Sequence, residues 1–514
     1  MDKMSQILFG QSYYLYFDKK LWQAMQPYPP LGTLYAASYL RTKGYSVALF
    51  DAMLANSEAE WAEALERYQP EYAILFEDNF NYLSKMCLLR MRQAAFEMIA
   101  MARQRGCTVI VSGADATDHP AAYLAQGADF VLLGEGEETL GELIDRLDNK
   151  TSLSFDSILG LAYHTGPDKM DYRINPRRPD IRDLDSLPFP AWDLVDVHRY
   201  REIWESRHGT FSMNMATTRG CPYHCNWCAK PIWGQRYQVR SPENVVAEMS
   251  VIKESYHPDH LWFVDDIFGL KPGWLEEFAR LVQHEHVSIP FKCLNRADLL
   301  LREGEIDALK KAGCKTVWIG AESGSQKILD AMEKGTRVDQ IRAASQQLRA
   351  AGIETGFFLQ FGYPGETRQD IEMTFQLVRE CQPDDIGMSV SYPLPGTPFY
   401  DRVVSQLGEK RNWTDSNDLA MLYHGPYTTE FYRQLYRVLH KEFRSRKTIR
   451  RLLTSQTQEK PTLNKLFKLA ANLATLPFER WKLEKLARRP HPGNILAEAG
   501  LSPESAAQPS PQEQ

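Results

Sequence analysis

Three cysteines fall within eight residues of the run "TTRGCPYHCNWCAK" (217 to 230): Cys221, Cys225 and Cys228, spaced CxxxCxxC and directly preceded by Arg219 and Gly220. Thiols this close together are reactive unless a metal holds them. A structural zinc site usually takes four ligands, often as two separated pairs. Here His224 abuts Cys225, and no second CxxC or HxxxH follows. Three thiolates holding a 4Fe-4S cluster would leave one iron open, and an open iron is a place for a substrate to bind. The spacing therefore favours the cluster over zinc. The other five cysteines (Cys87, Cys107, Cys293, Cys314, Cys381) are scattered singly, and they read as small buried apolar residues rather than a disulfide framework.

The elements that must position this loop are legible on both sides of it. From residue 5 to about 145, short apolar runs ("QILFGQ", "SVALFD", "YAILFE", "CTVIVSG", "FVLLGEGE") alternate with helical patterns. Unbroken apolar strands separated by helices predict an α/β domain over 1–150, a doubly wound parallel sheet covered on both faces. Pro and Asp clusters over 151–205 suit a linker. A second series over 206–400 has six strand candidates: "FSMNMATT", "HLWFVDD", "PFKCLNRA", "TVWIGAES", "TGFFLQFG" and "IGMSVSYP". Six β/α repeats in this length predict a partial (β/α)6 TIM-like barrel, whose chemistry belongs at the C-terminal ends of its strands. Residues 401–490 read as helical, and the Pro-rich polar tail 491–514 as disordered.

Length and charge set the outer bounds. A chain of 514 residues exceeds one hydrophobic core, and 43% hydrophobic with 25% charged residues is ordinary globular composition. A formal net charge of −6 argues against nucleic acid as a partner, since phosphate binding favours a basic surface. No basic stretch followed by an apolar run opens the sequence, and no uncharged apolar segment is long enough to span a bilayer. The expected location is cytoplasmic.

CxxxCxxC with Trp227 before its last cysteine, on the first loop of a partial barrel, resembles the radical S-adenosylmethionine superfamily. "FVDDIF" (263 to 268), "NRAD" (295 to 298), "GAESGS" (320 to 325) and "FGYPGET" (361 to 367) close strands two to five in keeping with that resemblance. It implies a 4Fe-4S cluster on Cys221, Cys225 and Cys228, with S-adenosyl-L-methionine chelating the open iron. One electron, from a donor such as flavodoxin or ferredoxin, then yields a 5′-deoxyadenosyl radical. The resemblance assigns Glu322 and Ser323 to the cofactor, and extends that candidacy to Asp265, Arg296 and Gln360. Such a radical must be made in a closed, dry cavity beside its target.

The first domain needs a ligand of its own, beyond the carboxyl ends of its strands. No GxGxxG occupies the first strand-to-helix turn, so a dinucleotide reading fails. "PPLG", "SGADATD" and "GEGE" placed before a radical barrel resemble the cobalamin-binding domain of cobalamin-dependent radical enzymes, over about residues 5 to 445 in all. The resemblance implies cobalamin at Gly32, Gly113, Asp115, Thr117, Gly134, Glu135, Gly136 and Glu137. DxHxxG is absent, which points to a corrin held without a protein imidazole on cobalt.

Three function classes follow. The first is a methyltransferase acting on an unactivated carbon, in which the radical removes hydrogen and methylcobalamin delivers the methyl. The second is an oxidative cyclase or rearrangement enzyme of the same layout, and the third is a non-catalytic cobalamin- or redox-responsive binding protein. Methylthiolation of RNA would want a second cysteine set before residue 150, where only Cys87 and Cys107 lie. For the substrate, two stretches look peculiar to a subgroup, 77–92 and 412–444, with no ligand legible in either.

Between residues 441 and 490 stand fourteen Lys and Arg against four Asp and Glu, a charge of +10, leaving −16 for the rest. Leu463, Leu466, Phe467, Ala470, Ala471 and Ala474 recur at three and four, on one helical face, and Trp481 sits among Arg480, Lys482 and Lys485. Such a helix either packs on its own domain or lies in a lipid interface. The second alternative implies peripheral membrane contact and a lipid-like small-molecule substrate.

Overall fold

The computed structural model describes residues 6–86, 88–166, 171–228, 232–453 and 463–489, with side chains of the last stretch from 466 onward. Cys87 and the tail 491–514 lie outside the described residues.

The first sheet has five parallel strands: β1 (Ile7–Gly10), β2 (Val47–Leu49), β3 (Tyr72–Phe76), β4 (Thr108–Ser112) and β5 (Phe130–Leu132). Their order is β2-β1-β3-β4-β5. The apolar runs are unbroken because alternate residues feed two separate cores. Leu8, Ala73, Leu75, Val109 and Val131 enter one, and Ile7, Phe9, Ile74, Ile110 and Leu132 enter the other. The chain reverses its winding between β1 and β3, so the crevice of this sheet opens where those two strands end. The segment read as a linker does more than connect. It supplies β6 (Leu161–His164) and β7 (Tyr172–Ile174), which extend the sheet antiparallel beyond β5.

The second sheet holds all six expected strands: β8 (Ser212–Met215), β11 (His260–Phe263), β12 (Phe291–Asn295), β13 (Cys314–Glu322), β14 (Glu354–Phe361) and β15 (Asp385–Val390). They are parallel, each hydrogen-bonded to the next in sequence, and form an open half-barrel. Between β8 and β11, a small antiparallel ribbon of β9 (Thr218–Arg219) and β10 (Gln238–Val239) ties the two ends of the cysteine loop together.

The two domains share one apolar core. Tyr28, Leu31, Leu34, Tyr35 and Phe80 pack into the same cluster as Met213, Met215, Trp233 and Phe263. The helix Thr429–Leu453 buries Phe431, Tyr432, Leu435 and Leu439 in this cluster, and the helix Leu463–Ala487 packs against it through Leu483.

Candidate functional site

Gly220 starts the cysteine loop, and only glycine fits there. Its φ is +77°, and a Cβ would stand 2.3 Å from the Arg236 carbonyl oxygen. Cys221 is buried against Ile267, Leu270 and Leu299, with Tyr223 and Tyr237 beside it. Cys225 is also buried, while Cys228 is half-buried. None of the seven described cysteines is in a disulfide. Among the described residues, no three His, Cys, Asp or Glu side chains converge as a site for a single metal ion.

The loop is held from several sides. Asn226 donates through Nδ2 to the Ala331 carbonyl (2.9 Å) and to Glu333 (3.0 Å), and its Oδ1 accepts from the Tyr363 hydroxyl at 2.8 Å. Its backbone N–H donates to the Met332 carbonyl, and its carbonyl accepts from Phe399 N–H. The Arg296 guanidinium lies 3.6 Å over the Tyr223 ring and donates to Asp298 and Thr336. Asp265 accepts from Thr217 N–H, Thr217 Oγ1 and Thr218 N–H, each at 2.7 Å. Burial pushes the Asp265 carboxyl up to about 6 against the pull of those bonds. Asp265 and Arg296 therefore brace the loop in this structure.

Glu322 ends β13 at φ +55°, beside a register shift, and its carboxylate accepts from Lys334 Nζ at 2.8 Å. Burial opposes the charge on Lys334, but Glu322 and Cys225 outweigh it and raise the lysine pKa. Gly320 makes room, since a Cβ there would come 2.6 Å from Lys334 Nζ. Ser323 accepts from Ser325 N–H and faces Thr374 Oγ1, and Gln360 donates to Ser391 Oγ at 3.0 Å.

On the first domain, the residues expected at cobalamin divide by what they touch. Arg219 reaches across from the barrel and donates to Glu135 Oε1 at 2.9 Å and to Glu137 Oε1 at 2.7 Å, with all three side chains buried. Its guanidinium also lies over the rings of Tyr35 and Phe80. Burial raises the Glu137 carboxyl, and the Arg219 charge works against that rise. Asp115 accepts from Arg92 Nε (2.6 Å) and the Tyr123 hydroxyl (2.7 Å), and Thr117 Oγ1 accepts from Gly134 N–H. Gly32 N–H donates to Asp78. Gly113 and Gly136 allow close approach: a Cβ would stand 2.7 Å from Glu77 Cβ at the first and 2.7 Å from Ser112 Oγ at the second.

Sequence reasoning missed several residues here. Glu77, buried at the end of β3 and bonded to Ser12 N–H, is pushed up to about 7, chiefly by burial. Tyr82 opens the short helix Tyr82–Lys85 that follows β3. The residue is 58% exposed, yet the protein around its phenol, and after it the charges of Cys228 and Glu322, raise its pKa. Asn226 and Lys334 carry no signal beyond their place in or near the motif.

The two uninterpreted stretches meet. Leu89 and Arg90 N–H donate to the carbonyls of Trp413 and Thr414, while the Tyr392 hydroxyl donates to the Met86 carbonyl and accepts from Asn412. Lys85 pairs with Asp266 at 3.0 Å, and Phe80 packs on Trp233 with ring centroids 5.1 Å apart. The segment after β3 is thus pinned to the barrel at both ends. A groove of about 900 Å³ lies elsewhere, between the helix Arg368–Cys381 and the two C-terminal helices.

Comparison with known proteins agrees with this arrangement. The B12 binding domain matches residues 23–144, and the Radical SAM superfamily matches residues 215–378. An uncharacterised methyltransferase of Pyrococcus horikoshii is 27% identical over 391 residues, 75% of this chain and 81% of its own. The anaerobic magnesium-protoporphyrin IX monomethyl ester cyclase of Rubrivivax gelatinosus is 24% identical over 387 residues, 74% of this chain and 67% of its own. Among solved structures, the radical S-adenosylmethionine methyltransferase TsrM of Kitasatospora setae, with cobalamin and a [4Fe-4S] cluster bound, superposes with a TM-score of 0.64 at 20% identity, over 78% of each chain. With a corrin-type sheet and a three-cysteine half-barrel joined through Arg219, this chain belongs to the cobalamin-binding-domain radical S-adenosylmethionine enzymes.

Proposed function

We propose that the protein transfers a methyl group to an unactivated carbon of an apolar or lipid-like small molecule. The observation that carries this reading is the direct seating of the first sheet's ligand edge on the cysteine loop, through Arg219 with Glu135 and Glu137 and through Phe80 on Trp233. When bound, the cluster and S-adenosylmethionine supply a hydrogen-abstracting radical, and cobalamin supplies the methyl group. The chain's own residues do the rest. Cys221, Cys225 and Cys228 fit the cluster as a soft donor set on a braced loop with a dry apolar wall at Cys221. We assign Glu322 and Lys334 to the polar end of S-adenosylmethionine, with Ser323 and Gln360 beside them, and Asp265 and Arg296 to holding the loop. For cobalamin we assign the turns at Gly32, Gly113, Asp115, Thr117, Gly134 and Gly136, with Glu135 and Glu137 fixing that edge to the barrel. Tyr82, whose phenol feels the charges of Cys228 and Glu322, is our candidate for the substrate contact. Its segment and the 412–414 strap keep water from the radical.

The test is anaerobic reconstitution with iron, sulfide, hydroxocobalamin and S-adenosylmethionine, against candidate apolar substrates and lipid extracts. A methyltransferase of this kind forms S-adenosylhomocysteine alongside 5′-deoxyadenosine. The likeness to the anaerobic cyclase supports a second reading, oxidative ring closure. A product accompanied by deoxyadenosine without S-adenosylhomocysteine would decide for the cyclase.

A further inference from the structure

The helix Leu463–Ala487 has two apolar faces, and only one of them is used. Leu483 is buried, and Leu476 and Leu486 are half-buried against the body of the protein. At 3.6 residues per turn, Phe467, Phe478 and Trp481 fall within an arc of roughly 60°, centred about 170° round the helix from Leu483. They point away from the protein: Phe467 is 75% exposed, Phe478 63% and Trp481 57%. Ala470, Ala471 and Ala474 are exposed between them, and the Phe478 and Trp481 rings stack at 5.7 Å.

Charge is sorted the same way. The two acidic residues of this helix turn toward the protein, where Glu479 pairs with Lys441 at 2.8 Å and Glu484 with Arg368 at 2.7 Å. Arg480, grouped by its sequence position with the basic residues around Trp481, also turns inward and pairs with Glu442. Lys468, Lys482 and Lys485 remain exposed beside the aromatic stripe, with Lys485 Nζ 5.5 Å from the Trp481 ring centroid. Among the described residues no helix is long and apolar enough to cross a membrane. An outward stripe of large rings with lysines beside it, on a helix whose two carboxylates are both paired with basic residues of the body, matches an anionic lipid surface in both polarity and charge.

We infer that this face docks on an anionic bilayer, with Phe467, Phe478 and Trp481 at the headgroup boundary and the lysines over the lipid phosphates. The inference does not depend on which reaction the barrel performs. The reconstituted full-length protein is sedimented with phosphatidylglycerol/phosphatidylcholine vesicles and with phosphatidylcholine vesicles alone, at low and at high salt. Three lysines near such a surface strengthen partitioning roughly a hundredfold, so binding is expected with the anionic vesicles at low salt and is lost on either change. The variant F467S/F478S/W481S is expected to bind at least about tenfold more weakly while cleaving S-adenosylmethionine as the parent does, which separates this test from the proposed reaction. Failure to pellet with any vesicle, or a variant that pellets like the parent, overturns the inference. So does a concentration-dependent dimer, seen in sedimentation velocity without lipid and abolished by the same substitutions, which would give the stripe to a second copy of this chain.

Discussion

Arg219→Met tests whether the two domains are joined by charge. Arg219, Glu135 and Glu137 have side chains only 5%, 6% and 3% exposed, so solvent screens these pairs little. Removing one partner of a buried pair costs about 3–5 kcal/mol, because the other charge stays buried. Two carboxylates are stranded here, and one can relieve itself by taking up a proton, so about 4 kcal/mol is a fair net figure at neutral pH. If some 400 residues melt together at ~2.1 cal/mol/K per residue, that loss lowers Tm by about 5 °C. Arg219→Lys keeps the charge but presents one ammonium where the guanidinium fork met two carboxylates, and should lose about half as much. Combining Arg219→Met with Glu135→Gln and Glu137→Gln removes the stranded charges and should recover most of the loss. The deficit also has a sign in pH. Stranded carboxylates have raised pKa values in the folded state and bind protons there, so the single variant should lie closer to the parent at pH 5 than at pH 8. Scanning fluorimetry of the three variants at both pH values is the assay. An Arg219→Met protein within about 1 °C of the parent at pH 8, with the cluster retained, would refute the clamp.

Three further outcomes are expected. Gly220→Ala forces a side chain into a left-handed position at about 1–2 kcal/mol and into the Arg236 carbonyl besides, so iron per chain after reconstitution should fall, as measured by iron assay and the cluster's visible absorption. Replacing Cys221, Cys225 and Cys228 together with Ala should abolish iron and 5′-deoxyadenosine, read by chromatography, while near-parental circular dichroism would show that the sheets do not need the cluster to fold. Glu77, with a folded pKa of about 7 against an ordinary 4.5, makes the folded apoprotein the better proton binder between those values; stability should fall by about 3 kcal/mol as pH rises through that window, and Glu77→Gln should flatten the profile in denaturant titrations.

The elements that rest on periodicity were legible in the sequence. The five parallel strands of the first sheet lie inside the apolar runs that predict them, because strands buried on both faces leave an unbroken signal, and the six of the second overhang their runs by two residues at most. β6 and β7 were not legible, because β7 is exposed along its whole length and β6, though buried, is a lone short run with no following helix to mark it as part of the alternating series. The cysteine loop was legible because metal ligation needs particular residues at particular spacings. Asn226, Lys334 and Tyr82 were not, because their roles come from neighbours more than a hundred residues away in sequence or from a single bend of the backbone, and neither leaves a local pattern. The last helix shows a different limit. Its apolar repeat was visible, but which face turned inward depends on Glu479, Glu484 and Leu483 finding partners on the body of the protein.

The strand ends of the half-barrel show how the site divides its work. A polar group there can face the chamber or hold the loop that carries the cysteines, and one carboxylate cannot do both. Asp265 accepts three hydrogen bonds from Thr217 and Thr218, and Arg296 is committed to Tyr223, Asp298 and Thr336. With Asn226 bonded to residues 331–333, 363 and 399, these side chains fix both ends and the middle of a loop of eight residues. Three thiolates on one short loop must arrive together in register, and each rotamer left free would lower the fraction of chains ready to bind iron. The Glu322–Lys334 pair and Tyr82 remain as polar groups that are not committed to holding the loop and that feel the charges of Cys225 and Cys228. The positions nearest Cys225 and Cys228 are therefore where substitutions should change turnover without first emptying the loop of iron.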